Sequence, residues 1–125
     1  MKKHIIEQDV EKLVIVADEI IKNTIKQINY EIILMYWKLG KIVFDYKKEH
    51  NSKHGDSVVE KLSRELSLKY GSGFGLTNIW YSKKFYENFK KLPTSEVFEN
   101  VTWSHCREII NENKIILLKT EQLEI

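Results

Sequence analysis

The 125-residue sequence has one cysteine, one proline and five glycines. A lone cysteine, Cys106, excludes an internal disulfide and fits a reducing cytoplasm, the expected location of the chain. A lone proline, Pro93, leaves few obligatory breaks and favours long helices. No stretch approaches the ~18 uninterrupted apolar residues expected of a membrane helix. The opening Met-Lys-Lys-His is followed at once by Glu7, Asp9 and Glu11, without the apolar run of a secretory signal. No membrane partner is therefore expected.

Catalytic signatures are missing as well. There is no Gly-x-Ser-x-Gly elbow, no Cys-x-x-Cys and no phosphate loop. The cluster Gly71-x-Gly73-x-Gly75 has the wrong spacing for a dinucleotide site and follows a helical pattern rather than a strand. Asp18-Glu19 and the run Glu121 to Glu124 read as solvated charges. His50 and His54 lie four apart, but no third metal ligand accompanies them. His105 and Cys106 are helix neighbours that point in different directions. The expectation is a non-enzyme with no catalytic residue, metal or cofactor.

What is present is a balanced globular composition, 42% hydrophobic and 30% charged, sufficient for one domain over residues 1–125. Residues 5 to 27 form an amphipathic pattern, with Val10, Leu13, Val14, Ala17, Ile21, Thr24 and Ile28 on a stripe expected to be buried. The pattern continues from Tyr30 to Lys48, where Ile33, Trp37, Gly40 and Phe44 share a face. Gly40 predicts the close approach of another helix beside Trp37. One helix or two over residues 5 to 48 stays open, because Asn29 and a β-branched run weaken the joint without breaking it. His50 to Gly55 reads as a polar turn. Ser57 and Glu60 have capping-box spacing and mark a helix start. Val58, Val59, Leu62 and Leu66 form its buried face, and it ends at the glycine cluster.

A further helix is expected from Thr77 to Lys91. At 100° per residue, Tyr81, Leu92, Phe85, Phe89, Tyr86 and Ile79 occupy one arc, while Lys83, Glu87, Trp80, Lys91 and Lys84 occupy the opposite one. Trp80 among lysines is the least expected feature of the sequence. Leu92-Pro93-Thr94-Ser95 stops this helix. A short helix is expected from Thr102 to Asn111, begun by Thr102 or Ser104, with Trp103 in the core or on a seam against whatever follows, and residues 114 to 123 read as helical. The end at Ile125 lacks a polar tail and reads as a chain cut short. The expected fold is all-α: a helical bundle with a helix-turn-helix-like pair at residues 57 to 91 and no significant sheet.

The net charge of +2 is distributed unevenly. Residues 41 to 91 carry eleven Lys/Arg against six acids, a net +5, which leaves −3 on the rest. A positive centre bearing a helix–turn–helix pattern suits double-stranded DNA. Thr77 and Asn78 at the helix start would meet a phosphate or base edge, and Lys83, Lys84 and Lys91 would neutralise phosphates. Trp80 would wedge or stack, with Arg64 adding charge from the preceding helix. The turn from Tyr70 to Gly75 is longer than the 3–4 residues usual in such motifs.

Four sets of residues carry a family resemblance: Tyr36-Trp37-x-Leu39-Gly40-x-x-Val43; Gly55-Asp56-x-Val58-Val59-x-x-Leu62-Ser63-x-x-Leu66; Gly73-Phe74-x-x-x-Asn78-Ile79-x-Tyr81-x-x-x-Phe85-Tyr86; and Trp103-Ser104-His105. In order and spacing, over roughly residues 10 to 112, they resemble the N-terminal helical domain of the YhcG-type bacterial proteins. The resemblance implies a domain that precedes a PD-(D/E)XK nuclease domain, and that nuclease domain is absent from this chain. The family usually has Ser after Gly-Phe. Here Gly75 takes that place, and Thr77 is expected to cap the helix instead.

The expected function is a non-catalytic nucleic-acid-binding or targeting module of a bacterial nuclease. The alternative is a protein–protein or oligomerisation module. In that case the apolar first helix and the Trp37/Gly40 face would form a seam with a second copy or with the nuclease domain.

Overall fold

The computed structural model describes residues 2–50, 52–91, 93–98 and 100–111. Four helices account for most of them: α1 (Lys2–Glu49), α2 (Ser52–Tyr70), α3 (Leu76–Asn88) and α4 (Trp103–Asn111), with a 3₁₀ turn at Ser72–Phe74 between α2 and α3. No strand occurs among the described residues. The fold is all-α, as the sequence predicts. Leu92 and the expected helix over residues 114 to 123 lie outside the described residues.

The open question at Asn29 is answered by a single helix. α1 runs for 48 residues, about 72 Å at 1.5 Å per residue. Its second half supplies the core residues Ile33, Tyr36, Trp37 and Val43, and its most extensive partner is α3. The crossing is made at Gly40, where a Cβ atom would stand 1.9 Å from the Ser82 carbonyl oxygen. Only glycine lets the two backbones come this close. Ser82 is fully buried, and its hydroxyl donates to the Asn78 carbonyl at 2.8 Å. The predicted close approach beside Trp37 is thus a contact within the chain. The Trp37/Gly40 face is occupied by α3 and is not available as a seam for a partner.

Two apolar clusters flank this crossing. One gathers Ile33, Tyr36, Trp37, Phe85, Phe89, Phe98, Trp103, Cys106 and Ile110. The other joins Val43, Val59 and Ile79, with Leu62, Leu66 and Trp80 packed against it. Phe85 lies edge-on to both Phe98 and Trp103.

Two of the helix boundaries depart from expectation by a turn or so. α2 begins at Ser52, so Ser57 and Glu60 lie inside the helix rather than capping it. The cause is Gly55, which packs against the end of α1. A Cβ there would fall 2.2 Å from the His50 carbonyl oxygen. α3 stops at Asn88 rather than Lys91, because Phe89 leaves helical geometry at φ −130° and ψ 76°. The freed Phe89 carbonyl accepts a buried hydrogen bond from Trp37 Nε1 at 2.6 Å.

The largest departure is in the first half of α1. The stripe Val10, Leu13, Val14, Ala17, Ile21, Thr24 and Ile28 was expected to be buried, and all seven residues are exposed. α2, α3 and α4 gather on the other half of the helix, and among the described residues only the segment at Ser95 and Glu96 reaches back as far as Asn23.

Candidate nucleic-acid interface

α3 enters through a turn held by side chains from three helices. Gly71 takes φ 101°, a left-handed conformation that glycine adopts without penalty. The Gly73 carbonyl accepts from Tyr36 Oη and from Asn78 Nδ2, both at 2.8 Å. The Phe74 carbonyl accepts from Ser63 Oγ at 3.0 Å. Asn78 Oδ1 in turn accepts from Trp103 Nε1 at 3.2 Å, and the Trp103 ring stacks on Tyr36 with centroids 4.3 Å apart. The amide orientation of Asn78 follows from its partners, since a carbonyl needs a donor and an indole N–H needs an acceptor.

This network has two consequences. Asn78 was expected to meet phosphate or base, but both ends of its amide are bonded within the fold. Thr77 was expected to cap α3, but the helix starts at Leu76 with Gly75 as its N-cap and without a side-chain capping bond. Thr77 is one residue inside the helix and exposed.

Beyond the turn, the outward face of α3 lines a groove of about 470 Å³ formed by Thr77, Trp80, Tyr81, Lys83, Lys84, Glu87 and Asn111. Positions 77, 80, 81 and 84 form one helical stripe. A second groove of about 300 Å³ continues it, lined by Tyr81, Ser104, Arg107, Glu108 and Asn111. The structure thus brings together Thr77, Trp80, Lys83 and Lys84 from the sequence-predicted set. Arg64 and Lys91 are exposed but line neither groove, and Asn78 belongs to the turn.

Trp80 differs from the lone surface ring expected. It is half-buried against the Val43, Val59 and Ile79 cluster because α1 and α2 flank this side of α3. Lysines surround it nonetheless, with the Lys47 and Lys83 ammonium groups 5.9 and 6.0 Å from its ring centroid. Lys47 pairs with Asp56, and Lys83 with Glu87. The packed ring cannot wedge between bases, but its edge forms part of the groove wall. Lys84 is exposed and projects from the same face.

Sequence reasoning missed Arg107 and Asn111 and placed Tyr81 only on the apolar arc. The Arg107 guanidinium lies 5.1 Å from the Tyr81 ring centroid. Its Nε is buried and has no hydrogen-bond partner among the described residues. The signal available was the four-residue step from Trp103 to Arg107, which puts both on neighbouring turns of one helix. Only the packing of α4 beside α3 brings Arg107 to the groove.

The remaining candidates are structural. Cys106 is fully buried, and burial pushes its thiol up to about 12. Thr102 caps α4, with its Oγ1 accepting from the His105 backbone N–H at 3.2 Å, while His105 Nδ1 accepts from the Thr102 N–H at 3.4 Å. His50 stacks on Tyr46 and lies 6.1 Å from His54, and no group of three metal-type ligands occurs among the described residues. No described helix is long and apolar enough to cross a membrane.

The profile of the DUF1016 N-terminal domain matches residues 12–116. The chain belongs to the DUF1016 N-terminal domain family. This agrees with the resemblance to the YhcG-type proteins and gives its motifs a physical content. Tyr36, Ser63, Gly73, Phe74, Asn78 and Trp103 are the residues that lock the turn into α3. The quoted motifs of this DUF1016 N-terminal domain therefore report mainly on how the helices are joined. No curated protein and no solved structure shows a significant match to the chain.

Proposed function

We propose that this DUF1016 N-terminal domain binds double-stranded DNA along the α3–α4 groove, as a non-catalytic targeting module for a nuclease domain. The supporting observation is the convergence of Thr77, Trp80, Lys83 and Lys84 from α3 with Arg107 from α4 along adjoining grooves. A helix presenting an exposed hydroxyl, aromatic edges and cations along one stripe has the chemistry of a recognition helix. Lys84 and Arg107 supply phosphate contacts, and Thr77 and Lys83 set the register. Glu87, paired to Lys83, keeps that ammonium in place and disfavours a phosphate directly over it.

The test is fluorescence anisotropy with a labelled duplex across a salt series. Affinity should fall as salt rises, with a slope that reports the number of phosphates neutralised. Lys84→Glu and Arg107→Glu should each weaken binding about tenfold or more and lower that slope by roughly one. Lys91→Glu, outside the groove, should have a smaller effect. Absence of binding to the duplex at low salt would remove the proposal.

A further inference from the structure

The first half of α1 carries an apolar face that nothing in the described chain covers. Val10, Leu13, Val14, Ile20, Ile21, Ile25 and Ile28 are each 51% to 69% exposed. Contiguous exposed apolar surface of this kind, rimmed by charged residues, marks an interaction site. The segment is also rich in β-branched residues, which are mediocre helix formers. A helix of this composition takes its stability from packing rather than from propensity.

The spacing of the patch identifies the kind of partner. Val10, Val14, Ala17, Ile21, Thr24 and Ile28 follow one another at steps of 4, 3, 4, 3 and 4, the heptad seam of a coiled coil. Thr24, the one polar residue in it, already donates its hydroxyl to the Ile20 carbonyl at 2.9 Å. Burying the seam therefore leaves no orphan hydroxyl. The seam matches itself when reversed. Ile28 opposes Val10, Ile21 opposes Ala17 and Val14 opposes Thr24, so larger side chains face smaller or equal ones in nearly every layer.

Charge favours the same arrangement. Residues 7 to 19 hold Glu7, Asp9, Glu11, Asp18 and Glu19 against Lys12, a net −4, whereas residues 20 to 30 hold Lys22 and Lys26, a net +2. A parallel pair would stack −4 on −4, whereas this antiparallel register sets residues 8 to 18, net −2, against residues 20 to 30, net +2, with Glu19 facing Glu19 and Glu7 facing Glu31. In this register residue 5 of one copy reaches Ile33 of the other, where α1 enters its own core. The overlap ends where burial by α3 begins. The groove at the base of the arm, lined by Thr24, Gln27, Ile28, Glu31, Ile32 and Met35, receives the partner's first turns. Covering the seam in two copies removes on the order of 1,500 Å² from water, the size of a stable protein–protein interface.

We propose that the arm of α1, residues 5 to 28, docks against the same arm of a second copy as an antiparallel coiled coil with Val10 opposite Ile28. The pairing rests on the arm alone and is independent of the groove. Its test is run at high salt without nucleic acid, so the two readings fail separately. Light scattering and sedimentation should give twice the chain mass, falling to one with dilution. Ile21→Asp should give a monomer that keeps the near-UV signal of Trp37, Trp80 and Trp103. Val10→Asp, far from the core, should dissociate the pair even if Ile21→Asp disturbs folding. Ile15→Asp, exposed but off the seam, should leave the dimer intact.

Orientation is read by cysteine cross-linking, with Cys106 too buried to compete. The double variant Val10→Cys/Ile28→Cys should form covalent dimers under mild oxidation, and neither single variant should. Cross-linking of a single variant would show a parallel pair and overturn the proposal. A strict monomer at high concentration would overturn it too, leaving the arm to a different partner such as a nuclease domain. Equal sensitivity to Ile15→Asp and Ile21→Asp would mean nonspecific association and would equally sink it.

Discussion

The two halves of α1 belong to one unbroken helix and have opposite surroundings. From Ile33 to Val43 the apolar face is buried by α3, and at Gly40 the two backbones touch. From Ile5 to Ile28 an apolar face of similar density meets nothing in the described chain. Periodicity alone does not separate them. What does is the small residue: Gly40 marks where a backbone neighbour arrives, and the first half contains no glycine. An apolar stripe states that something must cover it, and a glycine within the stripe states that the cover is close.

The contrast can be broken most severely at Gly40. Gly40→Leu would drive a side chain into the Ser82 carbonyl, where no flexible group can yield. We expect a loss of about 3 kcal/mol or more, from overpacking against backbone, read as unfolding at low denaturant. Phe85→Ala, which empties the fully buried centre of the body, should cost about 3–5 kcal/mol by the same measurement. Trp37→Phe removes the donor to the Phe89 carbonyl and should cost about 1–3 kcal/mol, with fraying of the α3 C-terminus detectable by amide exchange. On the arm, Val14→Ala should change the stability of the dilute chain by no more than about 0.5 kcal/mol, because the side chain is already exposed. A large effect of Val14→Ala in dilute solution would show that the arm is packed within its own chain.

Alkaline pH sharpens the comparison in the body alone. Burial raises the Cys106 thiol from 9.0 to about 12 and also raises Tyr36 above its usual value. The unfolded chain then releases the Cys106 proton first. Stability contributed by the protonated thiol is complete below pH 9 and lost as pH rises toward 12. Denaturant midpoints should fall between about pH 9 and about pH 12, and Cys106→Ala should make that fall shallower. An unchanged slope in Cys106→Ala would show that the thiol is not the group responsible.

Much of the architecture was legible because it depends on local pattern. Helix content, the Gly40 approach and the short helix beginning near Thr102 all follow from residue type and spacing. The missed features depend on which elements become neighbours. Ser57 and Glu60 have capping chemistry, but Gly55 lets α2 start one turn earlier. Phe89 sits on the apolar arc, but its carbonyl is taken by Trp37, 52 residues away, and that bond ends the helix. At the candidate site, the α3 residues were visible as one lysine-rich arc. Trp80 is half-buried because two helices flank α3, and Arg107 arrives from a helix whose placement no spacing in α3 encodes.

The continuity of α1 makes residue number a measure of angle. With no break between the arm and Gly40, the direction in which the seam points is fixed relative to the groove on α3. Inserting one residue between Ile28 and Asn29 would rotate the seam by about 100° about the helix axis while leaving the core places of Ile33, Tyr36 and Trp37 unchanged. Inserting seven would return it within about 20° and move it about 10 Å outward. The helix behaves as a graduated shaft, on which length sets the phase between whatever the arm holds and whatever the groove meets.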